Sequence, residues 1–397
     1  MESYTFPAEK DAPGLDFEGE GHVDAVIDHR QDVTGMALIP DGGDSHTLVV
    51  SKADGRLVRL GWRVDEPDND GIRIWSSDPD RRGGRIRLIP TAQYAHSSSH
   101  IIGLTSSGQK LLTISTGKAF QDNNSQLGEK GTASLFNARS PWTSPETLDL
   151  GDKPRSAHIC LEASTPYAAI GFSANLARQN DSTSQSPSFM SIFAITENQF
   201  QSTPLLRLGG TSSRSSAVYA IIPASPYSRF GGSHQVLLSG WFDGHVRVHD
   251  LRSNNRMQVG EVGNALKPVL SMRDPWLDAP VYSLGMGGGH NGYVVAGMGQ
   301  HGILAIYDVR NPMSAAMSAS SSGEFRLRRN GYSVYSPGGN HTPVYSLKVE
   351  GTRIWGTTTK AFMLDFGPTM EARVLESQGG RWLGPSEKCT TYLHTNS

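Results

Sequence analysis

The tetrapeptide Val218-Tyr219-Ala220-Ile221 returns as Val281-Tyr282-Ser283-Leu284 and again as Val344-Tyr345-Ser346-Leu347, a fixed step of 63 residues. A constant period of this size means that one supersecondary unit is used repeatedly, each copy burying its apolar face against its neighbours. Weaker copies lie upstream at Met36-Ala37-Leu38, Ile102-Gly103-Leu104 and Ile159-Cys160-Leu161. Together they carry the series Leu38, Leu104, Leu161, Ile221, Leu284, Leu347, so six repeats are visible.

Inside a repeat, apolar and β-branched residues come in short runs broken by Gly, Pro, Asp or Ser, the pattern of short strands. The fourth repeat reads as strands over residues 217–222 (ended by Pro223), 235–241, 245–251 and 257–262. Asp243-Gly244 supplies the left-handed geometry of a two-residue hairpin between the second and third of them. The fifth repeat gives 280–285, 293–298 and 302–309, and the sixth 344–349, 354–357 and 361–366. The first gives 35–39, 47–52 and 56–61, with Asp54-Gly55 at the same turn, and the second and third offer third strands at 132–137 and 189–195. No stretch keeps apolar residues at helical spacing over a dozen positions. The expected fold is therefore all-β: four-stranded antiparallel blades stacked radially as a β-propeller, which leaves few open sheet edges. Insertions at 118–130 and 174–187 would join second to third strands, and 263–278 one blade to the next, on one face. Those at 65–84, 224–233 and 313–323 fall on the other.

Composition narrows the function. A formal net charge of −2 over 397 residues creates no global field for nucleic acid or an anionic membrane. Cys160 and Cys389 are too few for a disulfide framework and too far apart for a zinc spacing. Residues 1–21 contain neither a secretory signal nor a membrane span, so a cytoplasmic or nuclear location is expected. The domain reading is a tail at 1–21, a single propeller at 22–377, and a tail or closing strand at 378–397.

The run from Leu237 to Arg252, Leu-Leu-Ser-Gly-Trp-Phe-Asp-Gly-His-Val-Arg-Val-His-Asp-Leu-Arg, resembles the second half of a WD repeat. Val294-Val295-Ala296-Gly297 followed by Ile303-Leu304-Ala305-Ile306-Tyr307-Asp308-Val309-Arg310 resembles another. The resemblance implies a propeller of six or seven blades, with seven favoured: the two chain ends either jointly complete the sixth or build a seventh from pieces such as 23–29, 372–376 and 390–394. It also implies a bracing network of Asp, His, Ser and Trp in each blade. Asp243 and Ser239 match two of its members, and Asp54 and Ser51 match the same two in the first repeat. Gln300 replaces the Asp of the fifth repeat, while His249, Tyr307 and, faintly, Phe136 stand where the Trp of Trp-Asp belongs.

Catalytic signatures are missing from the sequence. Gly297-Met298-Gly299-Gln300-His301-Gly302 spells a dinucleotide fingerprint, but it leads into a strand, where no helix N-terminus can hold a pyrophosphate. His245, His249, His290, His301 and His341 have no metal-ligand spacing, so neither metal nor cofactor is expected. There is no nucleophile elbow, triad or carboxylate pair, which argues against an enzyme. Arg81-Arg82-Gly83-Gly84-Arg85-Ile86-Arg87 and Arg326-Leu327-Arg328-Arg329 read as solvated surface. Arg252 and Arg310 follow Asp250 and Asp308 by two residues, and Asn137-Ala138-Arg139 is a third copy. In the WD-repeat family such an Asp-x-Arg is similar to the box that docks some propellers on the adaptor of a cullin-RING ubiquitin ligase. The plain alternative is a local salt bridge closing the strand end. The expected function is a non-enzymatic protein-interaction scaffold, with a ubiquitin-ligase substrate receptor (cullin-RING or F-box type) as its specific form and Arg252, Arg310 and Arg139 as partner-binding residues. The competing readings are a propeller enzyme with a metal or hydrolase site at the channel mouth, and an RNA-associated scaffold.

Overall fold

The computed structural model describes residues 33–42, 45–65, 85–95, 100–116, 131–138, 145–173, 190–197, 199–209, 216–230, 232–258, 264–274, 277–310, 331–337, 342–366 and 372–375. Arg139, His341, Cys389, both predicted tails and the arginines at 81, 82, 326, 328 and 329 lie outside these residues. Among the described residues the protein is all-β, interrupted only by a 3-10 turn at Gly289–Asn291, and no helix is long and apolar enough to cross a membrane. Six blades, each a four-stranded antiparallel sheet with its strands in chain order, account for most of the strands among the described residues, with short extra strands inserted before the outer strands of blades three and four. Their first strands are Val33–Gly42, His100–Ser107, Pro154–Cys160, Val218–Pro223, Val281–Gly287 and Ser346–Glu350. Blades one and two belong to one compact unit and blades three to six to another.

The 63-residue repeat is a register device. In the fourth blade Val218 pairs with Trp241 and Ala220 with Gly240, so Tyr219 is left over as a bulge. Tyr282 is left over in the same way between Val281 and Ser283, and Arg155, Thr34 and Ile102 are the leftover residues of blades three, one and two. The valine just before the repeat tyrosine is completely buried at Val218, Val281 and Val344. Each of these valines enters a notch in the preceding blade's second strand that only glycine leaves open. A Cβ on Gly171 would come within 2.7 Å of Val218, one on Gly240 within 2.6 Å of Val281, and one on Gly297 within 2.7 Å of Val344. Ser156 and Ser283 add a hydrogen bond across the same seam, donating to the carbonyls of Val218 and Val344 at 2.8 and 2.7 Å. Ala220 occupies that place in blade four.

Around these seams each pair of neighbouring blades within a unit shares a core. Between blades four and five it holds Leu238, Val248, Leu284, Val294 and Ala296, and between five and six Val295, Leu304, Val344, Ile354 and Phe362. In the first unit Ile39, Val49, Leu57, Ile101, Leu111 and Phe136 do the same for blades one and two. Stacked meanders need this continuity, since a single four-stranded sheet leaves both faces open to water.

One expectation about strands fails. Residues 257–262 are not the outer strand of blade four: Leu270–Met272 takes that place against Val246–Asp250. Arg256–Gln258 instead pairs with Asn264–Leu266 as a hairpin, and the hairpin's second arm lies parallel to Leu206–Leu208, the outer strand of blade three. The physical reason is burial. Leu266 is fully buried beside Leu208 and Trp241, so the hairpin covers an edge that would otherwise present unpaired backbone groups. Residues 263–278 are accordingly no simple connection between blades. Of the two ways of closing the ring, the C-terminal piece supports completion of the sixth blade, since Ala372–Leu375 is its outer strand. The pieces at 23–29 and 390–394 lie outside the described residues.

Candidate functional site

A bulge re-aims the side chain of its extra residue. Repeated in blades three, four and five, it brings Arg155, Tyr219 and Tyr282 to one end of the sheets in the second unit, where Tyr345, just before the first strand of blade six, joins them. The Arg155 guanidinium lies over the Tyr219 ring at 5.8 Å, and the Tyr219 and Tyr282 rings stack at 4.8 Å with 30° between their planes. Phe242, from the turn after Trp241, approaches Tyr219 at 6.1 Å. Burial pushes the Tyr282 hydroxyl's pKa up, the neighbouring hydroxyls of Tyr219 and Tyr345 add to that, and the charge of Arg155 opposes it. The cation is oriented by its Nε, which donates to Ser173 Oγ at 2.6 Å. Tyr345 and Phe242 are 49% and 53% exposed, so the row is open to solvent. The result is an aromatic arc with a cation at one end, the composition that dominates protein interfaces.

Under the arc, the Asp243-Gly244 turn is tied into the blade. Gly244 takes the left-handed conformation, φ 78°, as a two-residue hairpin demands. Arg247, fully buried, donates to both carboxylate oxygens of Asp243 at 3.0 and 2.7 Å and stacks on Trp241 at 4.6 Å. Trp241 Nε1 donates to Ser239 Oγ, which itself donates to the Arg247 carbonyl. Ser216 Oγ accepts from the Asp243 amide. Burial works to raise the Asp243 pKa, but hydrogen bonds from His245 and Arg247 and the Arg247 charge outweigh it and hold the carboxyl well below the usual range. Asp243 and Ser239 thus sit in one network with the tryptophan at the end of the second strand, and an arginine serves as the network's cation. Arg247 was not legible as a buried residue, since an arginine in an alternating strand reads as solvent-facing.

In blade one the corresponding groups stay local. Asp54 accepts from Arg56, whose side chain lies 2.5 Å away, and Ser51 shares a 3.0 Å hydrogen bond with Thr34 and donates to the Gly35 carbonyl.

His249 is fully buried, and its Nε2 is 3.0 Å from the Gly209 carbonyl, so Nε2 carries the proton and Nδ1 is left bare without a partner. Burial first, then the charge of Arg247, lowers its pKa from 6.5 to about 4 despite the Gly209 bond. His158, in blade three, is lowered to about 4 as well, chiefly by burial. The consequence has a definite sign. Above pH 6.5 these rings are neutral whether the chain is folded or not. Between pH 6.5 and 4 the unfolded chain binds protons that the folded one refuses, so stability falls as pH falls. At about 1.4 kcal/mol per pH unit, His249 alone accounts for a loss on the order of 3 kcal/mol. Denaturation midpoints at pH 7 and pH 4.5 test this: His249→Gln, which keeps a donor for Gly209, should lose clearly less than the wild-type protein.

At the opposite end of the sheets, Asp250 accepts from Arg252 Nε and Nη2 at 2.8 Å each, and Asp308 and Arg310 form the same fork. Arg310 further stacks on Tyr293 at 4.6 Å and bonds its hydroxyl at 2.6 Å. Hydrogen bonds from these arginines hold both carboxyls below the usual range. Both arginine side chains nevertheless keep about half their surface in water, 52% and 48%. The Gly-rich 297–302 segment is a hairpin turn feeding the strand Ile303–Asp308, with His301 and Gly302 both at φ 60°.

No protein-family model matches the chain, and no curated protein matches it. Among solved structures it is similar to Sqt1 of Saccharomyces cerevisiae, at 10% identity and a TM-score of 0.47, over 86% of this chain and 84% of that one. It is also similar to Sqt1 of Chaetomium thermophilum, at 13% identity and 0.47, over 87% and 73% of the two chains. The blade architecture rests on the pairing of the strands themselves.

Proposed function

We propose that this protein is a non-enzymatic interaction scaffold that binds an extended peptide segment of a partner protein across the Arg155–Tyr219–Tyr282–Tyr345 arc. The observation that carries this reading is the recurrence of one bulge in successive blades, which lines up π-faces and hydroxyls in a solvent-open row with a single cation at its end. The ligand implied has apolar or proline side chains to lie on the rings and an acidic residue to meet Arg155. Aromatic anchors of this kind carry most of an interface's energy, so removing one weakens binding by about 10- to 30-fold. Selecting proteome-derived peptides on the purified protein is the direct test. Tyr345→Ala should lose the selected peptides' affinity by that factor, and Arg155→Gln should remove the preference for an acidic residue. Identical selections with all three proteins would refute the arc.

The opposite end supports a second reading. Arg252 and Arg310 repeat one geometry in adjacent blades and remain half exposed, which suits docking on the adaptor of a cullin-RING ubiquitin ligase while the arc holds the substrate. The same binding assay, run with that adaptor, should lose its signal with Arg252→Ala plus Arg310→Ala and keep it with Tyr345→Ala. Unchanged binding in the double variant would leave a plain scaffold acting in the cytoplasm or nucleus.

A further inference from the structure

At the end of the sheets away from the tyrosines, blades three and four bring together three side chains that sequence spacing gave no reason to group. Cys160 closes the first strand of blade three, Glu162 follows it in the turn, and His234 precedes the second strand of blade four. Cys160 Sγ, a Glu162 carboxylate oxygen and a ring nitrogen of His234 all lie within 4.8 Å of one another.

Each partner is held from outside the cluster. The Tyr167 hydroxyl donates to the His234 carbonyl at 2.6 Å, and Gln235 Nε2 donates to Ser164 Oγ at 3.1 Å, so the two loops are pinned together. Burial pushes the Cys160 thiol's pKa up and the Glu162 carboxylate adds to that, while the backbone N–H groups of Ala163 and Glu162, turned toward the sulfur, oppose it. His158, two residues before Cys160 on the same strand face, feels the charges of both Glu162 and His234 and has its Nε2 buried without a hydrogen-bond partner.

The distances fit a metal. With a sulfur at about 2.3 Å and an oxygen at about 2.1 Å from a tetrahedral zinc, the two donors stand about 3.6 Å apart. Cys160 Sγ and Glu162 Oε2 are 3.7 Å apart. His234 and Glu162 are exposed, whereas Cys160 is buried. A thiolate, an imidazole and one carboxylate form a borderline-soft set that suits zinc and disfavours calcium or magnesium.

We propose that Cys160, Glu162 and His234 bind one divalent ion of the zinc class, cross-linking blades three and four at this end and leaving a fourth position to water. Binding releases the thiol proton to solvent, while Glu162 enters as the carboxylate and His234 as neutral imidazole.

Cobalt(II) reports such a site directly, because a thiolate ligand gives a charge-transfer band in the near ultraviolet. The full chain, reduced and stripped with chelator, is titrated with cobalt and then with zinc. The wild-type protein should develop the band with one equivalent of cobalt and lose it to zinc. Cys160→Ser, nearly isosteric, should abolish the band, whereas Cys389→Ser should keep it. His234→Ala, a change at an exposed residue, should weaken cobalt binding by at least about 10-fold. A wild-type protein with no thiolate band, or a band that survives Cys160→Ser, overturns the proposal and leaves the thiol–carboxylate hydrogen bond as the whole of the interaction.

Discussion

Arg247→Met should cost about 3 kcal/mol of stability, the low end of the 3–5 kcal/mol that follows removal of one partner from a buried ion pair. The low end applies because Asp243 keeps 25% of its side chain in water, whereas Arg247 keeps none. Methionine restores most of the volume against Trp241 but leaves the Asp243 carboxylate facing the gap with only His245 beside it. Denaturant midpoints at constant slope give the measurement, and Arg247→Met combined with Asp243→Asn should recover part of the loss, because no uncompensated charge remains. A loss within 0.5 kcal/mol, about the scatter of ordinary surface substitutions, would mean that the network contributes nothing to holding the blade.

The second large effect belongs to the glycine notch. Gly240→Val places a Cβ 2.6 Å from Val281 Cγ1 and 3.2 Å from the Val281 carbonyl oxygen, so side chain and backbone of the next blade must both retreat. Overpacking of this kind costs about 1–3 kcal/mol, and the upper figure is expected because a backbone atom is among those displaced. The compensating variant is Gly240→Ala with Val281→Ala, which should lie closer to wild type than Gly240→Val does. Equal stability of wild type and Gly240→Val would show that blades four and five are not in contact there.

Much of the fold was legible because repetition and alternation are local properties. The Val-Tyr repeat marks the first strands of blades four and five and the start of blade six, and Tyr293–Met298 was read to the residue. The turns at Asp54-Gly55 and Asp243-Gly244 were readable from the left-handed backbone they require. What local pattern did not reveal was pairing between distant segments. Residues 257–262 look like a strand and partly are one, yet their partner is Asn264–Leu266, which in turn leans on blade three. Nothing in the alternation of a strand says which sheet edge it will cover.

The functional residues divide in the same way. Tyr219, Tyr282 and Tyr345 were visible as members of a repeat, but that the first two are surplus residues at a bulge depends on register, which is a relation between two strands. Arg155 shares their position without sharing their identity, so the repeat could not nominate it. Cys160 and His234, 74 positions apart, had no spacing to betray them.

By itself, then, the sequence determined that this protein is built of similar four-stranded sheets, because a period of 63 residues with Gly-rich turns admits little else. Only the tertiary structure decided which side chains meet. A valine finds its glycine, and Arg155, Tyr219 and Tyr282 find one another, solely because neighbouring blades are stacked in register, and contact across that seam is a property of no single segment of chain.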